Sequence, residues 1–346
     1  MIFTSAGEWV AVEAELAWAD RLIRRAIGEP AVVDAAGTEL TPGGTVPTAL
    51  VRVQAATAPF DPTGLRPVTR GAVSDGRRTV LTDACGSGFD LLVAVDGERL
   101  SITARYRPRP AIRAANLLLS ARFALLAGQV LVHYPVLWRA GWRGRVPLHA
   151  AVVGTALGTP LLAGPGGVGK STVLIGLLRN GAAAADGAAG TDVAAGTDEV
   201  AATADNLCCA DAVRCFGLAE PLRTDAGAAG LGGRTFHGRV ERPLPARVPD
   251  LAPDRVVVLE RGPGTEVATA GPDETARALV AGTYAAGELR RYWAFAATLA
   301  LATGRGPAHP PIAAVARAYA ERLPCTRLRV GDGARVSVAE LCGVPA

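Results

Sequence analysis

The chain has 346 residues, 49% of them hydrophobic, which is enough material for a sizeable core and about two domains. Its net charge is only +4 and the basic residues are scattered, which argues against a nucleic-acid-binding protein. Its six cysteines form no CxxC pair and show no zinc-type spacing, a pattern typical of reduced cytoplasmic thiols.

The N-terminal part predicts a small β-rich domain over residues 1–110. A helix is expected from Val10 to Ile27, and short strand-like runs follow between residues 50 and 104. Asp75-Gly76 and Asp96-Gly97 are hairpin signals, so we expect an antiparallel sheet here. Ala111 to Gly128 predicts a helix within a connector spanning 111–144.

Residues 145–346 predict a second, mixed domain with a helical C-terminal tail. Its expected strands are 146–154, 160–163, 206–209, 212–216, 255–259 and 327–330, and its expected helices are 171–180, 273–280, 289–302 and 312–323. Asn180-Gly181 is a helix stop signal. Residues 182–204 are of low complexity, with Ala-Gly-Thr-Asp repeated, and predict a flexible insertion.

The most informative motif is Gly164-Pro-Gly-Gly-Val-Gly-Lys170-Ser171-Thr172, which fits the Walker A pattern without a mismatch. Lys170 is the single lysine among 36 basic residues, and it stands where a slim ammonium must reach between phosphates. An apolar strand precedes the loop and an apolar helix follows it, so backbone N–H groups and the helix N-terminus would bind an anion. The predicted nucleotide-binding residues are Gly164, Gly166, Gly167, Val168, Gly169, Lys170, Ser171 and Thr172.

Phosphoryl transfer also needs a Mg²⁺ site, a base and a positive clamp. Ser171 offers a hydroxyl to Mg²⁺. Asp205 starts a strand-like run after the P-loop helix and is the first candidate for the base, whereas Glu260 ends a strand that resembles a Walker B strand. The remaining candidates are His149 near the reaction centre and, as a substrate or phosphate clamp, Arg223, Arg234, His237 and Arg239.

Together these segments resemble the HPr kinase/phosphorylase family and its shorter relatives in bacterial peptide-modification clusters. The matching order is 147–153 with His149, the P-loop, Asp205-Asn206-Leu207, and 216–223 ending in Glu-Pro-Leu-Arg. The resemblance covers roughly residues 145–265, whereas residues 1–110 match no family that we can name. It implies an α/β (α+β) fold with the mixed-sheet P-loop kinase core of the HPr kinase and phosphoenolpyruvate carboxykinase type.

The resemblance also implies site roles. Lys170 and Ser171 would hold phosphate and Mg²⁺, His149 would line the reaction centre and Asp205 would take the place of the catalytic aspartate. The family carries an Asp-Asp pair where this chain has Asp205-Asn206; an asparagine can ligate Mg²⁺ but cannot accept a proton, so we expect phosphate to move mainly in one direction. Because the insertion lengthens the link to Asp205, Asp192 and Asp198 are alternatives for that position.

We therefore expect an ATP- and Mg²⁺-dependent kinase, with another nucleoside triphosphate as an alternative donor. Its acceptor would be a hydroxyl, first of all a serine in a peptide or protein. A small-molecule kinase and a non-catalytic nucleotide-binding regulatory protein are the alternatives. The N-terminus has no signal-peptide pattern, and Arg122 and His133 interrupt the most apolar stretch before the P-loop. A cytoplasmic protein with no membrane or nucleic-acid partner is expected, and a homo-oligomer is left open.

Overall fold

The protein is described by a computed structural model for residues 1–28, 46–187, 200–224, 238–331 and 336–343. Over these ranges the fold is mixed α/β, with sheets of eight, six, four and two strands. The α/β (α+β) class expected from the sequence is therefore confirmed. All six cysteines are free thiols.

An eight-stranded sheet forms the N-terminal part of the chain. Its strands are Ile2–Ser5 (β1), Glu8–Ala14 (β2), Ala49–Gln54 (β3), Arg66–Thr69 (β4), Ala72–Ser74 (β5), Arg78–Leu81 (β6), Phe89–Asp96 (β7) and Arg99–Tyr106 (β8). They lie in the order β1-β2-β3-β8-β7-β6-β5-β4. The expectation of a purely antiparallel sheet is wrong in part, because β2–β3 and β3–β8 pair in parallel.

The first predicted helix is also partly wrong, since it begins at Ala17 and not at Val10. Glu8, Val10 and Val12 are buried at every second position, which is the period of a strand. Helix α1 (Ala17–Ile27) then buries residues at helical spacing. Only Glu15 and Leu16 separate the strand from the helix, and neither is a turn residue such as glycine or proline. The sequence pattern alone therefore predicts one helix across the two elements.

A bent helical segment connects the N-terminal sheet to the rest of the chain. It consists of α2 (Pro110–Leu118), α3 (Ser120–Gly128), a π-helical turn (Gln129–His133) and α4 (Tyr134–Gly141). The predicted single helix over 111–128 is thus two helices that meet at Leu119. No single helix in the described ranges is long and apolar enough to cross a membrane, although the bent pair Pro110–Leu118 with Ser120–Gly141 would suffice by length and composition.

A six-stranded mixed sheet carries the Walker A motif. Its strands, in spatial order, are Ala201–Ala202 (β12), Ala151–Gly154 (β10), Pro160–Ala163 (β11), Arg255–Arg261 (β18), Cys325–Val330 (β20) and Glu266–Thr269 (β19). Strand β11 pairs in parallel with β18 and antiparallel with β10. Both faces are buried: Val152, Leu161 and Val256 point into one core, and Val153, Leu162 and Val257 into the other.

A second, antiparallel sheet contains Val146–Leu148 (β9), Cys208–Ala210 (β13), Cys215–Gly217 (β14) and Asp250–Leu251 (β17). The predicted strand 146–154 is therefore two strands, β9 and β10, which belong to different sheets. His149 and Ala150 lie between them, at the passage from one sheet to the other. A small ribbon pairs Leu222–Thr224 (β15) with Val240–Arg242 (β16).

The helix after the P-loop, α5 (Lys170–Gly187), is longer than expected because it continues through the predicted stop at Asn180-Gly181. Part of the predicted insertion 182–204 is thus regular structure, and Val200, Ala202 and Ala204 are buried at its other end. The remaining helices are Pro272–Ala285 (α6), Tyr292–Thr303 (α7), Ile312–Arg322 (α8) and Val338–Leu341 (α9). The three predicted C-terminal helices are confirmed, with α6 extended by five residues beyond Val280.

The N-terminal sheet and the C-terminal part share one hydrophobic core. Phe3, Ile23 and Phe89 lie in the same buried cluster as Phe216 and Leu289. The buried Glu8 carboxylate also makes polar contacts across this boundary, with Arg139 (3.9 Å), Arg143 (3.4 Å) and Arg145 (3.2 Å). Helix α4 carries Arg139 and is itself completely buried.

Candidate nucleotide-binding site

The loop from Gly164 to Gly169 joins β11 to α5, as the Walker A motif requires. Gly164, Gly167 and Gly169 have φ of +137°, +78° and +111°, a region that favours glycine. A Cβ on Gly164 would lie 2.8 Å from the Leu259 carbonyl oxygen, so the loop starts tightly against β18. Around Gly166, Gly167 and Gly169 the Cβ positions face open space. The loop therefore has a packed base and an open rim, which suits an anion.

The Lys170 side chain curls back over this loop. Its Nζ donates hydrogen bonds to the carbonyl oxygens of Gly164 (2.9 Å) and Pro165 (3.2 Å), and the residue is only 5% exposed. Burial lowers the pKa of Lys170 to about 8, although the Asp205 carboxylate opposes this shift. The ammonium is thus held at the loop mouth and stays largely charged at neutral pH.

A cleft opens beside the loop. Among its lining residues are the predicted Gly166, Lys170, Ser171, Thr172, His149, Asn206, Arg223 and Arg239. The structure therefore brings together residues from five separate segments of the sequence. Arg234 and His237, and the alternative carboxylates Asp192 and Asp198, lie outside the described residues.

Asp205 lies behind this cleft and is 1% exposed. Its Oδ2 accepts a hydrogen bond from the Arg223 backbone N–H (3.1 Å), whereas Oδ1 has no hydrogen-bond partner within 3.5 Å. Burial raises the pKa of Asp205, and the nearby Ser171 hydroxyl and the Arg223 amide act against that shift. A buried carboxylate oxygen without a partner next to the Walker A serine fits a Mg²⁺ ion that is shared with nucleotide phosphates.

His149 and Asn206 form a pair at the edge of the cleft. His149 Nε2 and Asn206 Oδ1 are 2.7 Å apart, and the His149 backbone N–H donates to the Thr283 hydroxyl (3.1 Å). Burial, reinforced by the Lys170 charge, lowers the pKa of His149, so its imidazole is neutral at pH 7. Asn206 was expected to ligate Mg²⁺, but in this arrangement its oxygen faces the imidazole.

Glu260, the rival acid, occupies a different place. Its side chain is 42% exposed and lies 3.9 Å from Arg327. It lines a separate, mainly apolar pocket with Val258 and Ala278 on another side of the loop. Of the two acids weighed from the sequence, Asp205 is therefore the one close to Lys170 and Ser171.

Two carboxylates near the cleft were not singled out from the sequence. Glu220 is 2% exposed, and burial raises its pKa to about 7. Glu288 lines the cleft in a short 3-10 helix (Gly287–Leu289), and its backbone oxygen accepts a hydrogen bond from the Tyr134 hydroxyl (2.8 Å). Arg223 Nη1 lies 3.5 Å from a carboxylate oxygen of each. Glu220 stands in the Glu-Pro-Leu-Arg segment, which could have drawn attention to it, whereas nothing in the sequence around Glu288 indicates a site.

No protein-family model matches the chain, and no curated protein is significantly similar to it. The functional reasoning therefore rests on the site itself. Among the described residues, no group of three or more His, Cys, Asp or Glu side chains is arranged to hold a metal ion.

Proposed function

We propose that this protein is a P-loop kinase that uses a nucleoside triphosphate, ATP first of all, and Mg²⁺ to phosphorylate a hydroxyl group. The observation that carries the proposal is the buried Asp205 carboxylate beside a Walker A loop in which Gly164, Gly167 and Gly169 have φ > 0. The mixed order of the P-loop sheet supports the finer proposal of an HPr kinase-like core, since β11 has an antiparallel neighbour on one side. A serine in a peptide or protein is the acceptor that this resemblance favours.

The residues of the cleft have separate roles in the proposed phosphoryl transfer. Lys170 and the loop amides hold the phosphates and stabilise the charge on the transferring group, and Arg223 and Arg239 lie on the cleft wall, where a clamp is needed. Ser171 and Asp205 Oδ1 would hold Mg²⁺, which when bound neutralises phosphate charge. Neutral His149 lines the reaction centre.

Asp205 also serves as the base in this proposal. The acceptor oxygen forms a bond to the γ-phosphorus, the bond from that phosphorus to the β–γ bridging oxygen breaks, and the nucleoside diphosphate leaves. The acceptor proton passes to the Asp205 carboxylate, which lies beside the Walker A serine. Because Asn206 cannot accept a proton, the chain has a single base at this position.

The test is phosphoryl transfer from labelled ATP to candidate serine peptides and to a metabolite extract, with products detected by their added phosphate mass. Asp205→Asn keeps the side-chain shape and should reduce transfer by roughly 10²- to 10⁴-fold, the usual contribution of a general base. Asp211→Asn is the matched control, because Asp211 is an exposed turn aspartate that caps the Val213 and Arg214 amides.

If Asp205→Asn transfers phosphate as fast as the wild type, the base assignment is wrong. A product found only in the metabolite extract identifies a small-molecule kinase instead of a peptide kinase. Nucleotide binding without any transfer identifies the non-catalytic alternative.

A further inference from the structure

Glu220 is a buried carboxylate that the proposed reaction does not use. Its Oε1 accepts hydrogen bonds from two successive backbone N–H groups, those of Asn206 (3.0 Å) and Leu207 (2.8 Å). Burying a carboxylate is costly unless its oxygens are well partnered, so such a group normally has a specific task. Here both bonds fall on the segment that follows Asp205.

The Asp205-Asn206 segment is held from two directions by the same stretch of chain. Glu220 holds the backbone of Asn206 and Leu207, and the Arg223 backbone N–H holds Asp205 Oδ2 (3.1 Å). Pro221 lies between these two contacts and fixes its own φ. As a result Oδ1 is the one oxygen of Asp205 without a partner.

The second oxygen of Glu220 adds an electrostatic contact. Oε2 lies 3.5 Å from Arg223 Nη1, and Arg223 also approaches Glu288 at 3.5 Å on the cleft wall. The carboxylate therefore connects the turn that carries Asp205 to the arginine that lines the cleft.

We propose that Glu220 is a positioning residue: its two backbone hydrogen bonds orient Asp205 Oδ1 toward the place of a nucleotide-bound Mg²⁺. The inference rests on the proposed function, since it assumes that Asp205 and Ser171 share that ion. Partners that orient a metal ligand in this way typically contribute about 10- to 100-fold to metal affinity.

The test compares the affinity of the full-length protein for the non-hydrolysable analogue adenylyl imidodiphosphate in Mg²⁺ and in EDTA, by calorimetry. Glu220→Ala should lower the enhancement by Mg²⁺ about 10-fold and leave the affinity in EDTA unchanged. Glu220→Gln keeps an oxygen for the two amides and should retain most of the enhancement. If Glu220→Ala does not fold, Glu220→Asp, with a carboxylate one methylene short, should show the same loss.

Asp90→Ala is the matched control, because Asp90 is also buried, accepts a backbone N–H (Asp83, 2.9 Å) and pairs with an arginine (Arg107), but lies in the N-terminal sheet. It should keep the full enhancement. The inference is wrong if Glu220→Ala keeps the enhancement, if Glu220→Gln loses as much as Glu220→Ala, or if Asp90→Ala loses it equally. A wild-type protein that binds the analogue equally in Mg²⁺ and EDTA overturns the metal site and this inference together, and one that does not bind it at all overturns the proposed function.

Discussion

Replacing Lys170 by alanine gives the most direct test of the nucleotide site. The ammonium has three donor hydrogens, and its Nζ donates to the two carbonyl oxygens of Gly164 and Pro165. At least one hydrogen is thus left for a phosphate oxygen. A hydrogen bond to a charged group contributes about 1.5–3 kcal/mol, so the affinity for ATP should fall roughly 10- to 150-fold.

The measurement is the dissociation constant of a fluorescent ATP analogue for Lys170→Ala, Lys170→Arg and a control. Lys170→Arg should lose a similar amount, because the buried loop mouth fits a slim ammonium and not a planar fork. Arg179→Ala is the control: it removes the same charge from the same helix at an exposed position. If Lys170→Ala and Arg179→Ala bind the analogue with equal affinity, the interpretation of this loop as a phosphate site is refuted.

Two further predictions concern stability. Glu8→Ala would leave three arginines without the buried carboxylate that they share, and it should lower the free energy of unfolding in urea by about 3–5 kcal/mol. Glu13→Ala removes an exposed pair with Arg52 and should lower it by no more than about 1 kcal/mol. Equal losses in the two variants would show that burial of the Glu8 cluster does not add to its contribution. Burial lowers the pKa of His133 from 6.5 to about 4, so below pH 6.5 the unfolded chain binds a proton that the folded chain binds only near pH 4. As the pH is lowered from 6.5 to 4, the free energy of unfolding should therefore decrease by up to about 1.4 kcal/mol per pH unit. If His133→Asn shows the same pH dependence of the free energy of unfolding as the wild type, His133 is not its origin.

The loop and its helix could be predicted from the sequence because the motif is local. Glycine spacing, one lysine and a hydroxyl residue determine the loop between Gly164 and Thr172. Gly164, Gly167 and Gly169 adopt the φ > 0 backbone that glycine allows most easily. Asp205 was harder to place. Its nearness to Ser171 depends on which strands pair, and it was indicated by its position before a strand-like run and by the resemblance of Asp205-Asn206-Leu207 to a family motif.

What could not be predicted depends on contacts between distant segments. Glu288 reaches the cleft because Gly287–Leu289 follows α6, and nothing in its local sequence marks it. The break between β9 and β10 at His149 is equally hidden, since 146–154 is one apolar run whose two halves pair with different sheets. The continuation of α5 through Asn180-Gly181 shows the opposite case, in which a local stop signal is overruled.

The hydrogen bond between the Tyr134 hydroxyl and the Glu288 backbone oxygen has a consequence for truncated forms of the protein. The Tyr134 ring packs against Tyr292 and Phe295, and all three belong to the core that Phe3 and Phe89 of the N-terminal sheet also fill. A fragment that begins after the connector would lack Tyr134 and would expose the rings behind one wall of the cleft. Excising the nucleotide-binding half would therefore alter the pocket itself, although every Walker A residue would still be present.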